Sequence, residues 1–225
     1  MHAFLHNPVF TSLSSHDRHL GSGNEKVKFF EEEVSPFAGF ETGYKKGLDD
    51  LYDILPPGRK ILHATPEQSI QPGKWQLVQE IKGLQFIFHH SEIANSPSVN
   101  LVPLHTIHVA EMVALAMLTK PGPFSSRTIE FGNYYGVFEK GQLVAMTGQR
   151  LHAENFTEIS AVCTHPGHLG KGYAFALMQH QLNLILNKGQ VPFLHVRDDN
   201  KRAIDLYERM GFSCSGVMNF FFLEK

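Results

Sequence analysis

Residues 158–179 read EISAVCTHPGHLGKGYAFALMQ, and residues 192–212 read PFLHVRDDNKRAIDLYERMGF. The first stretch runs from a strand over Thr157–Thr164 through a turn at Pro166 and a glycine-rich loop into an apolar helix over about 171–186. The second gives a strand over Phe193–Arg197, a polar turn and a helix over Lys201–Met210. Backbone N–H groups can point at phosphate oxygens only where side chains do not obstruct approach, and the helix that follows adds its positive end. That order describes a site for a phosphorylated ligand. A tight strand-to-helix turn needs glycines for steric reasons as well, so the second stretch carries much of the weight. There Ala203, Leu206, Tyr207 and Met210 share one side of a helix, with Asn200 near its start.

Working outward, Tyr134–Glu139 and Gln142–Arg150 read as an antiparallel hairpin across Lys140-Gly141, leading into the strand at Thr157. Before them stand a strand over Val99–Val102 and a helix over His105–Leu118, in which Val109, Met112, Val113 and Ala116 recur at helical spacing. Strands over Phe212–Val217 and Asn219–Leu223 close the chain. On the N-terminal side, small polar residues and Pro97 in Ser91–Asn100 mark a boundary. It divides the sequence into an N-terminal α/β segment over 1–98 and a second domain over 99–225. The first segment predicts a helix over Leu48–Leu55, stopped by Pro56-Pro57-Gly58, and a strand over Lys60–His63. It also predicts a hairpin of Trp75–Ile81 with Leu84–His89 across Lys82-Gly83. It shows no chemical motif of its own.

The loop Leu169-Gly170-Lys171-Gly172-Tyr173-Ala174 and the run Asn200-x-x-Ala203-Ile204-x-Leu206-Tyr207-Glu208-x-x-Gly211-Phe212 together resemble the GCN5-related N-acetyltransferase (GNAT) superfamily, in particular its FR47-like branch. The resemblance implies an α/β (α+β) fold with a mixed, mostly antiparallel central sheet and helices on both faces, over residues 99–225. The helix, strand and hairpin order of the N-terminal half is compatible with a degenerate half-copy of the same fold. It further implies an acyl-CoA held by the loop amides of Leu169, Gly170, Lys171, Gly172, Tyr173, Ala174 and Phe175. Leu169 stands where the family usually has Gln or Arg. By the same resemblance, main-chain groups of Val162, Cys163 and Thr164 receive the pantetheine arm and the acyl carbonyl where two strands splay apart. Asn200 would hydrogen-bond that arm, and Tyr207 would protonate the leaving thiolate. Read without the resemblance, Asn200 is a helix cap, Tyr207 a core tyrosine and Cys163 a small buried apolar residue.

An acceptor amine is protonated at neutral pH and must lose a proton before it attacks. Two bases are candidates. Strand alternation places Glu158 on the face of Ser160 and Val162. His195, on the other core strand, supplies an imidazole, the side-chain type suited to proton transfer near neutral pH. Each also has a structural reading, Glu158 as an exposed strand charge and His195 as a satisfied core histidine, and deprotonation through water is the third route. Lys171, Arg197, Lys201 and Arg202 form a local basic concentration suited to phosphate. Arg127 is a candidate fork for an acceptor carboxylate, and Phe220, Phe221 and Phe222 are candidates to line an apolar pocket.

Composition sets the outer limits. A formal charge of −2 over 225 residues offers no overall basic field, so nucleic acid is not an expected partner. Two cysteines outside any C-x-x-C arrangement give neither a disulfide framework nor a cysteine-rich zinc site, and the 14 histidines lack H-E-x-x-H spacing, so no metal is expected. No secretory segment or apolar run of about 18 residues appears, so the expected protein is cytoplasmic without a membrane partner. Absence of G-x-G-x-x-G opening a βαβ unit argues against a dinucleotide oxidoreductase. The leading expectation is an N-acetyltransferase that uses acetyl-CoA as cosubstrate and a small-molecule or peptide primary amine as acceptor, by direct attack in a ternary complex. The alternatives are a glycine N-acyltransferase-like enzyme taking a longer acyl-CoA and a noncatalytic acyl-CoA sensor. The acceptor and the oligomeric state, including a homo-oligomer, are left open.

Overall fold

The computed structural model describes residues 3–90 and 99–225. The N-terminal half carries α1 (Pro8–Ser14), β1 (Gly21–Gly23), β2 (Val27–Phe30), β3 (Phe37–Phe40), α2 (Gly47–Ile54), β4 (Lys60–Thr65), β5 (Gln76–Ile81) and β6 (Gly83–Phe88). The C-terminal half carries β7 (Val102–Pro103), α3 (Val109–Thr119), β8 (Tyr135–Glu139), β9 (Gln142–Ala153), β10 (Phe156–Thr164) and α4 (Tyr173–Leu186). It closes with β11 (Val191–Arg197), α5 (Lys201–Arg209), β12 (Phe212–Val217) and β13 (Asn219–Glu224). The sequence reading anticipated nearly every element after residue 100. It missed α1 and β1 to β3, whose three or four residues per strand are too short for a periodic signal.

These strands form two mixed sheets with orders β1-β2-β3-β4-β13-β5 and β12-β6-β11-β10-β9-β8-β7. Each has one parallel contact, β3 with β4 and β10 with β11, and is otherwise antiparallel. The orders superpose term by term: β1, β2, β3, β4, β13 and β5 match β8, β9, β10, β11, β6 and β12. Each half thus repeats the same sheet and donates its last strand to the other. The expected hairpin of 75–81 with 84–89 is therefore corrected. β5 pairs with β13, whereas β6 pairs with β11 and β12. The division at residue 98 separates two sequence halves whose sheets interlock, and the boundary stretch itself, at 91–98, lies outside the described residues.

The crossing is tight. The chain passes from β5 to β6 at Lys82 and from β12 to β13 at Met218, and Met218 N donates to Gly83 O at 2.9 Å. A Cβ at Gly83 would stand 2.8 Å from the Met218 carbonyl oxygen and 2.9 Å from Phe220, so only glycine admits the close approach. α4 buries Met178, Leu182 and Ile185 on one helical stripe, and Leu177 beside it against Val137, Val144 and Ala145. Each contributes about 1.5–3 kcal/mol on burial. α5 buries Tyr207, with Ala203, Leu206 and Met210 packed around it. Among the described residues no helix is long and apolar enough to cross a membrane.

Candidate active site

The parallel contact of β10 with β11 lasts for three residue pairs, Phe156 with Val191, Thr157 with Pro192 and Glu158 with Phe193. Beyond Glu158 the strands diverge. β11 continues along β6, and β10 stays paired with β9 as far as Thr164 opposite Ala145. Main-chain groups of Ile159–Thr164 are thereby left without a strand partner on the β11 side. Buried amides and carbonyls need partners, so such a gap asks for a ligand or solvent. Thr164 adds a buried hydroxyl with no hydrogen bond.

A cleft of about 540 Å³ opens from this gap. Val162, Cys163 and Thr164 line one side. The loop from Leu169 to Phe175 lines the mouth, and Asn200 and Tyr207 complete the wall. Every residue assigned to the acyl-CoA by resemblance therefore meets around one cavity. Gly170 and Gly172 adopt φ of +81° and +78°, and a Cβ on either would meet nothing within 4 Å. Glycine is required there by backbone conformation, and the space beside it is open. Gly172 is also the residue before α4 and supplies no side-chain cap, so the first-turn amides of that helix remain available to an anion.

The charges near the loop are distributed differently from expectation. Lys171 is paired with Glu139 at 2.7 Å, and the Tyr173 hydroxyl donates to the same carboxylate. Hydrogen bonds from Lys171 and Tyr173 hold the Glu139 carboxyl down at about 2. Arg197 is engaged by Asp199 at 2.7 Å. The arginines that line the cleft are Arg202 and Arg209 on α5, while Lys201 does not line it. Arg209 was missed in the sequence, although its i+7 spacing from Arg202 puts both on one helical face.

A second cleft of about 470 Å³ joins the first at Lys120, Pro121, Val162, Asn200, Ala203 and Tyr207. Its floor holds Glu158, Arg150 and His195. Arg150 Nε and Nη2 donate to the two oxygens of Glu158, each at 2.8 Å, and His195 Nδ1 lies 2.8 Å from Oε1. Glu158 is buried, not an exposed strand charge. Burial alone would raise its carboxyl, but Arg150 and then His195 outweigh that and hold it at about 2. His195 Nε2 meets Gln85 Nε2 at 3.0 Å, and the Gln85 oxygen accepts from Ser215. The amide thus donates to Nε2, which leaves the histidine proton on Nδ1, facing Glu158. Both ring nitrogens are engaged. Gln85 belongs to β6, so a strand from the N-terminal half reaches the floor of this cleft, and no motif in the sequence marks it.

Alternation fails in β10. Ala161 has φ of +53° and the register with β9 shifts between Ser160 and Cys163, a bulge that turns the strand over. Val162 consequently packs with Ile159 and Met178 on the α4 side, whereas Ala161 and Cys163 pack with Met112 and Leu115. The expectation that Val162 shares the face of Glu158 is corrected for this reason. Burial pushes the Cys163 thiol up to about 11, so it stands as a neutral thiol. Burial, and secondarily Cys163, raises the Tyr207 phenol above its usual range, and its hydroxyl makes no hydrogen bond among the described residues. The Asn200 side-chain oxygen Oδ1 accepts from Ala203 N at 3.2 Å as a helix cap. Arg127 is not at the site. It forks onto Glu130 at 2.7 and 2.9 Å on the surface. Phe220 and Phe222 line the second cleft, whereas Phe221 alternates into a separate core with Val27 and Trp75.

In the N-terminal copy the corresponding place is filled. β3 and β4 pair only at Phe37 with Leu62 and Ala38 with His63, and the Phe40 ring then stacks on His63 at a centroid distance of 4.7 Å. The same ring lies where a Cβ on Gly47, the first residue of α2, would stand.

Known proteins share this fold. The FR47-like protein family matches residues 134–220. The chain is 32% identical to a GNAT-family protein from Novosphingobium aromaticivorans DSM 12444, with 100% of this chain and 99% of that one covered and a TM-score of 0.91. A GCN5-related N-acetyltransferase from Kribbella flavida matches over 94% of each chain with a TM-score of 0.61 at 14% identity. One from Sphaerobacter thermophilus matches over 89% of this chain and 76% of that one with a TM-score of 0.56 at 13% identity. At those identities the likeness is one of fold. No curated protein sequence matches the chain. Identity sustained over the full length, together with the splayed strands and the glycine loop, places this chain in the GCN5-related N-acetyltransferase (GNAT) family.

Proposed function

We propose that the protein transfers an acetyl group from acetyl-CoA to a primary amine by direct attack in a ternary complex. The observation that carries this reading is the meeting of two clefts at the gap between β10 and β11, one floored by open glycine amides and the other by a buried carboxylate. The first suits the pyrophosphate: the space beside Gly170 and Gly172 is open, the first turn of α4 has no side-chain cap, and Arg202 and Arg209 line the same cleft. Lys171 contributes less than its sequence position suggests, because Glu139 takes its charge. The unpaired edge of Val162–Thr164 suits the pantetheine amides, which would complete the sheet.

In the reaction the nitrogen–carbonyl bond forms, the carbon–sulfur bond breaks and the thiolate takes a proton. Tyr207 lines both clefts, is kept protonated by its surroundings and is assigned that proton transfer. Glu158 is too weak a base to take a proton directly from an ammonium, since Arg150 holds it at about 2. Arg150 and His195 use three of the acceptor positions of Glu158, so the carboxylate is assigned to accept a hydrogen bond from the acceptor nitrogen at the fourth, and the ammonium proton leaves through water. His195, locked between Glu158 and Gln85, is assigned to orient that carboxylate.

The test is release of free thiol from acetyl-CoA in the presence of primary amines, compared with the Tyr207→Phe variant. The ring is retained, so the melting temperature and acetyl-CoA affinity should change little while kcat falls by about 10- to 1000-fold. Unchanged kcat would make Tyr207 a structural residue.

A further inference from the structure

The second cleft deepens the proposed function, on which this inference rests. Its wall is built by the sheet of the N-terminal half: Phe37 of β3, Leu62 of β4, Ile81 of β5, and Phe220 and Phe222 of the exchanged strand β13. Phe220 packs edge-on to His195 with ring centroids 5.4 Å apart and lies 6.2 Å from Phe37. The Arg150 guanidinium stands 4.8 Å over the Phe37 ring. Facing them is the turn Pro121-Gly122-Pro123. One wall of this slot is therefore apolar, while Glu158, Arg150, Ser160, Gln79, Lys120 and Arg197 line its polar remainder.

Two features of this slot select an acceptor. Along the wall of Phe37, Leu62, Ile81, Phe220 and Phe222 no side chain can partner a hydroxyl or amide, so a polar group seated there would lose water without replacement, whereas an aryl or branched alkyl group gains by burial. Charge supplies the second. Among the described residues Glu158 is the one carboxylate that lines the slot, and it already answers Arg150, while Lys120 and Arg197 also line it. With three cations lining the slot against one carboxylate, every further ammonium on the acceptor adds repulsion.

We propose that the acceptor is a monoamine carried on an apolar, aryl or branched alkyl body, seated against Phe220 and Phe222 with its nitrogen toward Glu158, and that the N-terminal half exists in part to build this wall. Polyamines and lysine-rich peptides are excluded by the same slot.

The experiment uses the full chain and saturating acetyl-CoA, with thiol release measured for 2-phenylethylamine, isopentylamine, ethanolamine, putrescine and spermidine. The expected result is a kcat/KM for the first two about 10- to 150-fold above the other three, the range that burial of one apolar side chain supplies. In Phe222→Ala the advantage should shrink about 10-fold, mostly in KM, while the rise in melting temperature produced by CoA is retained. Equal or greater activity on ethanolamine, putrescine or spermidine overturns the inference and leaves the acyl-CoA reading standing. So does an unchanged preference in Phe222→Ala. If no amine is turned over, calorimetric titration of 2-phenylethylamine into the CoA complex decides. Heat of binding that Phe222→Ala abolishes supports the slot, and its absence in the parent overturns it. Failure of CoA itself to raise the melting temperature would instead strike the proposed function.

Discussion

Tyr207 and Glu158 sit in the same buried region and are pushed toward opposite protonation states. Burial keeps the phenol neutral, while two specific partners keep the carboxylate charged against burial. The consequence for stability has a definite sign. The folded-state value of Glu158, about 2, lies below the ordinary carboxylate value of 4.5. Its contribution is therefore full above the ordinary value and is lost as pH falls from there toward the folded value. Glu158→Gln should lower stability at neutral pH by about 3–5 kcal/mol, because Arg150 is left buried and unpaired. The variant should also flatten the loss of stability across that acid range. Chemical denaturation at neutral pH and at about pH 3 checks both. A variant as stable as the parent at neutral pH would mean that solvent reaches the pair. At this scale the sequence marked Glu158, His195 and Tyr207 by strand position and motif, but not what they touch. Arg150 and Gln85 lie on separate strands, and nothing in local pattern announces that they converge.

The elements themselves were readable wherever periodicity ran long enough. α4 and α5 repeat apolar residues on one helical face, and β8 and β9 surround a Lys-Gly turn, so each declares itself locally. Pairing is another matter. β5 and β6 are separated by one residue and look like a hairpin, yet each finds its partners more than a hundred residues away. The local clue is Gly83, at the start of β6, since a glycine there marks a close backbone approach as readily as a turn. Gly83→Val should be destabilising by more than the ~1–3 kcal/mol typical of overpacking, because the obstacle is the Met218 backbone. Thermal unfolding against Gly43→Val, at a position where a Cβ meets nothing within 4 Å although φ is positive, separates crowding from backbone strain. Similar losses in the two variants would contradict the crossing as the cause. The Ala161 bulge was equally hidden, and it changes which β10 side chains face each cleft.

Over the whole molecule, exchange of β6 and β13 ties the halves into one cooperative structure. Removing residues 1–98 would take β6 from between β11 and β12 and leave β13 without its sheet. The full chain should therefore unfold in a single transition, coincident by near-ultraviolet and far-ultraviolet circular dichroism, and a chain cut to 99–225 should not fold. Two separated transitions would mean that the halves are energetically independent despite the exchange. The repeated strand order also poses the question of how many places the proposed acyl-CoA could occupy. The C-terminal gap is open and bordered by free amides, whereas Phe40 and His63 close its N-terminal counterpart.

Isothermal titration of acetyl-CoA into the full chain, repeated with Gly172→Gln, tests that assignment most directly. The account predicts one site per chain, and much weaker binding in the variant, whose side chain would enter the open space beside the loop while the fold is retained by circular dichroism. No heat and no rise in melting temperature at millimolar acetyl-CoA, or unchanged affinity in a folded Gly172→Gln variant, would contradict it.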